Sequence, residues 1–101
     1  MHLVQILLPL RDNAGHPFPP ELHGEVRRTL KKRFGSMTAY SRAPAEGLWK
    51  DGGETVRDEI VVLEVMADRL EGDWWRAFRK GLGGKFKQDA VVVRAQALTL
   101  L

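Results

Sequence analysis

Glu64 is a lone acidic residue in an otherwise apolar run, Ile60-Val61-Val62-Leu63-Glu64-Val65-Met66. A carboxylate held among apolar neighbours is suited to act as a general base, and equally to form the acidic half of an interface ion pair. Tyr40 and Arg42 alternate with small residues between Met37 and Ala43, offering a hydroxyl and a planar fork of donors to an anionic or phenolic ligand. Gln5 interrupts the apolar segment His2 to Leu8, and Arg94 and Gln96 alternate along Ala90 to Leu98. Glu64 and Tyr40 are therefore the candidate catalytic residues, and Gln5, Arg42, Arg94 and Gln96 the candidate ligand-binding residues. The chemistry of this set is acid/base work that needs no cofactor, on a small organic molecule, including an anionic one.

For these six to act together, the elements that carry them must share one surface. His2 to Leu8, rich in Leu, Val and Ile and stopped by Pro9, reads as a buried strand. Three prolines, a glycine and Asp12-Asn13 then make a loop, and Pro20 opens a helix with Glu21 at the positive end of its dipole. Leu22, Val26, Leu30 and Phe34 form that helix's apolar stripe, and Gly35 is its left-handed stop. Met37 to Ala43 has the alternation of a second strand. Ala43 to Gly47 reads as a bulge or excursion around Pro44, Leu48-Trp49-Lys50 as resumed pairing, and Asp51-Gly52-Gly53 as a hairpin turn. Glu54 to Ala67 returns as a third strand. Asp73 is the expected cap of a second helix whose stripe is Trp75, Phe78, Leu82 and Phe86. Trp74 flanks that stripe, and Gly81, Gly83 and Gly84 favour a helix that frays, kinks or ends near Leu82. Val91-Val92-Val93 begins the last strand.

The order β-α-β-β-α-β predicts a ferredoxin-like α+β domain over residues 1–101, with an antiparallel sheet in the order 4-1-3-2 and both helices on one face. Each helix has a single apolar stripe, so the pair covers one side of the sheet. The opposite side then carries Leu3, Gln5 and Leu7; Thr38, Tyr40 and Arg42; Ile60, Val62, Glu64 and Met66; Val92, Arg94 and Gln96. Such a face is too apolar to lie in water as one patch, which predicts a homodimer built through it. Its buried polar groups need partners, and Glu64 beside Arg94 or Arg42 would satisfy both. Trp49 suits a partner contact, and of Trp74 and Trp75 one is expected in the core and the other over a neighbouring loop.

The segments Thr38-Ala39-Tyr40-Ser41-Arg42-Ala43-Pro44-Ala45-Glu46-Gly47-Leu48-Trp49, Asp58-Glu59-Ile60-Val61-Val62 and Asp73-Trp74-Trp75 resemble a group of small bacterial proteins. The element order is similar to that of the dimeric α/β-barrel superfamily. This resemblance covers nearly the whole chain and implies a dimer with a cavity under each sheet. The superfamily includes cofactor-free monooxygenases, muconolactone isomerases and heme-binding members, so no single reaction is implied, and no catalytic residue is carried over.

Composition narrows the alternatives. Of 101 residues, 44% are hydrophobic and 29% charged, as in a globular protein, and the absence of Cys excludes disulfides, thiolate zinc sites and cysteine nucleophiles. His16 and His23, with Asp12, lie in a loop and a first helical turn that enforce no coordination geometry, so no metal is expected. The net charge of +3 and the basic outer faces of the helices would attract nucleic acid weakly. The third strand lacks the aromatics on which an RNA-recognition sheet stacks bases, so nucleic acid is not expected as a partner. The opening segment lacks a basic flank and is broken by Gln5 and Pro9, and no run is long enough to cross a bilayer, so a cytoplasmic location is expected. The competing reading is a non-catalytic interaction protein in which the same polar residues set the register of the dimer.

Overall fold

The computed structural model describes residues 1–42, 50–51, 54–55 and 59–101. β1 spans His2–Pro9, with Val4, Ile6 and Leu8 buried and Leu3, Gln5 and Leu7 half-buried between them. That alternation is what a strand shows when one of its faces is packed on a core. α1 spans Pro20–Phe34, with Glu21 in its first turn, three basic residues in its last, and Gly35 at φ 80° beyond it. Val26 and Leu30 are buried, Leu22 and Phe34 pack around them, and His23 joins the buried set.

β2 spans Thr38–Arg42. β3 (Lys50–Asp51) and β4 (Glu54–Thr55) pair with each other, Asp51 opposite Glu54, in the register that the Asp51-Gly52-Gly53 turn predicts. The excursion at Ala43 to Gly47 and the indole of Trp49 lie outside the described residues. β5 spans Ile60–Ala67, α2 Gly72–Lys85 and β6 Val92–Ala97.

Two expectations for α2 are corrected. Asp73 lies in the first turn rather than at the cap, which is Glu71, and its carboxylate pairs with Arg76 one turn further on. The glycines do not end the helix near Leu82, because burial of Trp75 and Leu82 holds it where propensity alone would let it fray. Its end is closed by a bond of 3.0 Å from the Gln88 N–H to the Gly83 carbonyl, with Lys87 in the left-handed region at φ 52°. A Cβ at Gly83 would sit 3.1 Å from the Gln88 carbonyl oxygen, a tight contact that the following turn would have to relieve.

The main sheet has the order β2-β5-β1-β6, with every neighbouring pair antiparallel. β1 and β2 are therefore parallel with β5 between them, and β5 and β6 are parallel with β1 between them, each pair joined through one helix. This is the ferredoxin-like layout, in the predicted order. The helix side is a continuous core of Val4, Ile6 and Leu8, Val61, Leu63 and Val65, Val26 and Leu30, and Trp75, Leu82 and Phe86. Each aliphatic side chain buried there contributes about 1.5–3 kcal/mol relative to exposure. Trp75 stacks on Phe34 at 5.3 Å. Trp74 covers the end of α1 rather than a loop, lying on Phe78 at 4.9 Å with the Arg33 guanidinium 4.3 Å above its ring.

Candidate functional site

The strand registers arrange the other side of the sheet in rows. Gln5 lies opposite Glu64 on one flank and Arg94 on the other, and Glu64 lies opposite Thr38. The row Thr38, Glu64, Gln5, Arg94 thus crosses all the strands of the main sheet. Within it, Gln5 Nε2 donates to Glu64 Oε2 at 2.6 Å, and Arg94 Nε donates to Gln5 Oε1 at 2.8 Å. A guanidinium only donates and an ionised carboxylate only accepts, so the Gln5 amide has one satisfied orientation, oxygen toward Arg94 and nitrogen toward Glu64. The expectation that Glu64 lies beside Arg94 is corrected, because β1 separates β5 from β6. Two strand spacings, roughly 9–10 Å, are too far for direct pairing, and Gln5 bridges the gap.

The remaining predicted residues fall on other rows. Tyr40 is half-buried opposite Val62, one row from Glu64, and no hydrogen bond among the described residues reaches its hydroxyl. Arg42 pairs with Ile60, two rows from Glu64 along the sheet. Gln96 pairs with Leu3 on the far side of the row. Three of the six predicted residues are therefore joined directly, and three surround them at register positions on the same face.

Leu3 stands between two shallow hollows beside the polar row. One, of about 280 Å³, is lined by Gln5, Arg94 and Gln96; the other, of about 210 Å³, by Thr38, Glu64 and Met66. A larger hollow of about 490 Å³ begins on the same face at Leu7, Ile60 and Val92 and continues past the sheet end, where Arg11, Asn13, Glu59 and Gln88 rim it. That volume lies in the range of small-molecule sites, and an apolar floor with a few polar groups at its edge is their usual composition. The sequence reading missed these rim residues. The topology carries the signal: the loop after β1 and the segments before β5 and β6 all converge on this end of the sheet.

The loop after β1 is itself ordered by Asp12, whose Oδ1 accepts the N–H groups of Ala14 at 2.9 Å and His16 at 2.8 Å. The bond from the His16 N–H is the main cause holding the Asp12 carboxyl below the ordinary carboxylate range. A lowered pKa means that the ionised form stabilises the folded loop. That contribution is complete above the ordinary carboxylate range and is lost as pH falls through the lowered value. Acidification into that range should release the Ala14 and His16 amides to faster hydrogen exchange while the β1 and β5 amides keep their protection. Unchanged exchange at those two amides would contradict this role.

His23 is buried, and its Nε2 lies 3.0 Å from the Pro9 carbonyl oxygen. That carbonyl only accepts, so Nε2 carries the proton and is occupied. Among the described residues no cluster of three or more His, Asp or Glu side chains is arranged to hold a metal ion, and no helix is long and apolar enough to cross a membrane.

No family model matches the sequence, and no curated protein matches it. Among solved structures the chain is similar to a phage SAM lyase in complex with S-methyl-5'-thioadenosine, with a TM-score of 0.63 and 18% identity over 94% of this chain and 79% of that one. It is also similar to a phage SAM lyase in the apo state, with a TM-score of 0.54 and 14% identity over 94% of this chain and 78% of that one. At these identities the likeness establishes the fold.

Proposed function

We infer that the protein is a homodimeric small-molecule-binding protein whose site is the open sheet face, centred on Glu64. The observation that carries this reading is the row Glu64, Gln5, Arg94. It is a carboxylate and a guanidinium fixed in place by one amide, in the middle of a mixed face whose apolar residues Leu7, Ile60 and Val92 floor a hollow of about 490 Å³. Gln5 occupies one oxygen of Glu64 and the Nε of Arg94. Among the described residues nothing else bonds to the second carboxylate oxygen or to the end of the Arg94 fork, which would accept from a ligand and hold an anionic group respectively. A phage SAM lyase of the same fold binds S-methyl-5'-thioadenosine, which makes that compound the natural first probe.

The cofactor-free chemistry open to this arrangement is proton transfer. Glu64 takes a proton from the bound molecule at its free oxygen, and Tyr40, one row along, is the hydroxyl placed to return one. Gln5 positions the carboxylate and Arg94 the ligand.

Titration calorimetry with S-methyl-5'-thioadenosine tests the reading. The unaltered protein should bind it, and Glu64→Gln should weaken binding about 10- to 100-fold, the value of a charged hydrogen bond, with the thermal midpoint nearly unchanged. Equal affinity in the two proteins, or no binding by either, would count against the site.

A second reading has its own observation: both ends of the Gln5 amide are used up within one copy, as expected if the row only sets the register of a non-catalytic interaction dimer. Under that reading Glu64→Gln separates the copies, seen as a halved mass in light scattering, and leaves no ligand affinity to lose.

A further inference from the structure

On the helix side of the sheet a hollow of about 390 Å³ opens between the loop after β1, the first turns of α1 and the start of β5. Leu10, Pro17, Phe18 and Val61 make its walls apolar. The loop that carries Phe18 is closed by a bond of 3.0 Å from the Phe18 N–H to the Leu10 carbonyl, and the half-buried ring is held edge-on against Phe86 at 5.1 Å and His23 at 6.4 Å. The walls are thus set before anything binds, which spares a ligand the cost of ordering them.

Two groups in this apolar setting can recognise polar atoms. His23 is only 8% exposed, and its Nε2–H is taken up by the Pro9 carbonyl, which makes Nδ1 an acceptor. Among the described residues no hydrogen bond reaches Nδ1, and the one unpartnered side-chain polar atom sealed from solvent there belongs to His2. Nδ1 of His23 is therefore open, and this hollow is the one its ring lines. The second group is a guanidinium. Arg11 and Arg27 both border the hollow, but Arg11 lies 3.7 Å from Glu59 and donates to the Gly15 carbonyl at 3.2 Å. Glu59 also borders the hollow, and Arg11 offsets its charge. Arg27 has no acidic partner among the described residues, so it is the cation left for an anion. His23 and Arg27 are one turn of α1 apart, so they share a flank of the helix at about 6 Å along its axis.

We propose that this hollow binds a small aromatic acid that carries a hydroxyl across the ring from its carboxylate. The ring lies against Phe18 and Val61, the hydroxyl donates to His23 Nδ1 and the carboxylate meets Arg27. The placement of the two polar groups selects this class. About one helical turn apart with apolar wall between them, they match the two ends of a single para-substituted ring, whereas a fatty acid offers nothing to Nδ1 and a free phosphate nothing to the walls. His23 then has two duties, Nε2 tying α1 to β1 and Nδ1 facing the ligand. The site is separate from the one centred on Glu64, because Val61 and Glu64 lie on opposite faces of β5, and neither depends on the other.

Titration calorimetry with 4-hydroxybenzoate tests it. The unaltered protein should bind this acid with a Kd of about a millimolar or tighter, the range open to a ligand of its size. Benzoate, which lacks the hydroxyl, should bind several-fold more weakly, and Arg27→Gln should lower affinity for both acids roughly tenfold. Lys32→Gln removes the same charge from α1 more than one turn away and outside the hollow, and should change affinity by less than about twofold. Both side chains are exposed, so both variants should fold, which circular dichroism checks. The imidazole nitrogen resonances read the other contact directly: Nδ1 of His23 should shift with 4-hydroxybenzoate and stay in place with benzoate. No heat and no shift at about ten millimolar acid, or equal losses from Arg27→Gln and Lys32→Gln, would overturn the site. S-methyl-5'-thioadenosine and 4-hydroxybenzoate should bind without competing, and competition between them would overturn a separate site. Binding of the acid in a protein that binds no S-methyl-5'-thioadenosine supports this hollow and removes the open-face site alone.

Discussion

Replacing Phe86 by alanine should lower the free energy of unfolding by about 3–5 kcal/mol. Phe86 is 0% exposed and is the first residue beyond the last turn of α2. Its ring meets Phe18 edge-on at 5.1 Å and His23 at 5.0 Å, so it joins the end of α2 to the loop before α1 and to α1 itself. Truncation removes the transfer energy of the ring and leaves a void between elements that the sheet holds apart, so the walls cannot close on it. Because the residue is a cap rather than an interior helical position, helix propensity adds little to the loss. Urea denaturation measures it as a lower midpoint with an unchanged slope. Phe86→Leu, which keeps most of the volume, should cost much less. A loss under about 1 kcal/mol for the alanine variant would show that the site collapses, contrary to this account.

His23 has the second large effect, and it separates a structural histidine from a ligand-binding one. Its Nε2–H donates to the Pro9 carbonyl at 3.0 Å, tying the first turn of α1 to the end of β1, and its ring packs on Phe86. His23→Leu keeps apolar volume but strands the carbonyl, at a cost of about 1–3 kcal/mol. His23→Ala adds a cavity and should cost more, about 2–4 kcal/mol. If the residue serves only the fold, affinity for S-methyl-5'-thioadenosine measured well below the melting transition should be the same in both variants. A variant with full stability, or one with lost affinity at full stability, would refute the structural assignment.

The order of elements was legible in the sequence because each piece carries its own local signal. Pro20 and Gly35 bracket α1, and alternation marks β1, β2 and β6; Gly52 and Gly53 of the expected turn lie outside the described residues. The occupants of the open face were legible for the same reason, since a period of two assigns every strand residue to a side once one side is known to be buried. Hence Gln5, Glu64 and Arg94 were placed together before any distances were known. The likeness to the phage SAM lyases agrees with the predicted fold.

Other features lay beyond local pattern. Nothing in the neighbourhood of His23 says that its ring faces a strand-end carbonyl, because Pro9 is brought to it only when α1 folds back over β1. Asp73 has the residue type of a cap, but the helix starts two residues earlier than a cap there would place it, with Glu71 as its cap and Trp75 buried beneath its first turn.

What this sequence determines by itself is the four strands of the main sheet and the two helices, the helix-facing core and the residues shared by the open face, all of which follow from hydrophobic periods of two and four and from the backbone preferences of Pro and Gly. The separate pairing of β3 with β4, where one strand from Glu54 to Ala67 is expected, does not follow from them. The tertiary structure decided which of those residues touch. Side-chain contact between strands depends on register and strand order, and register is set by the pairing of distant segments. Placing β1 between β5 and β6 made Gln5 the bridge from Glu64 to Arg94 and left Tyr40, Arg42 and Gln96 on neighbouring rows.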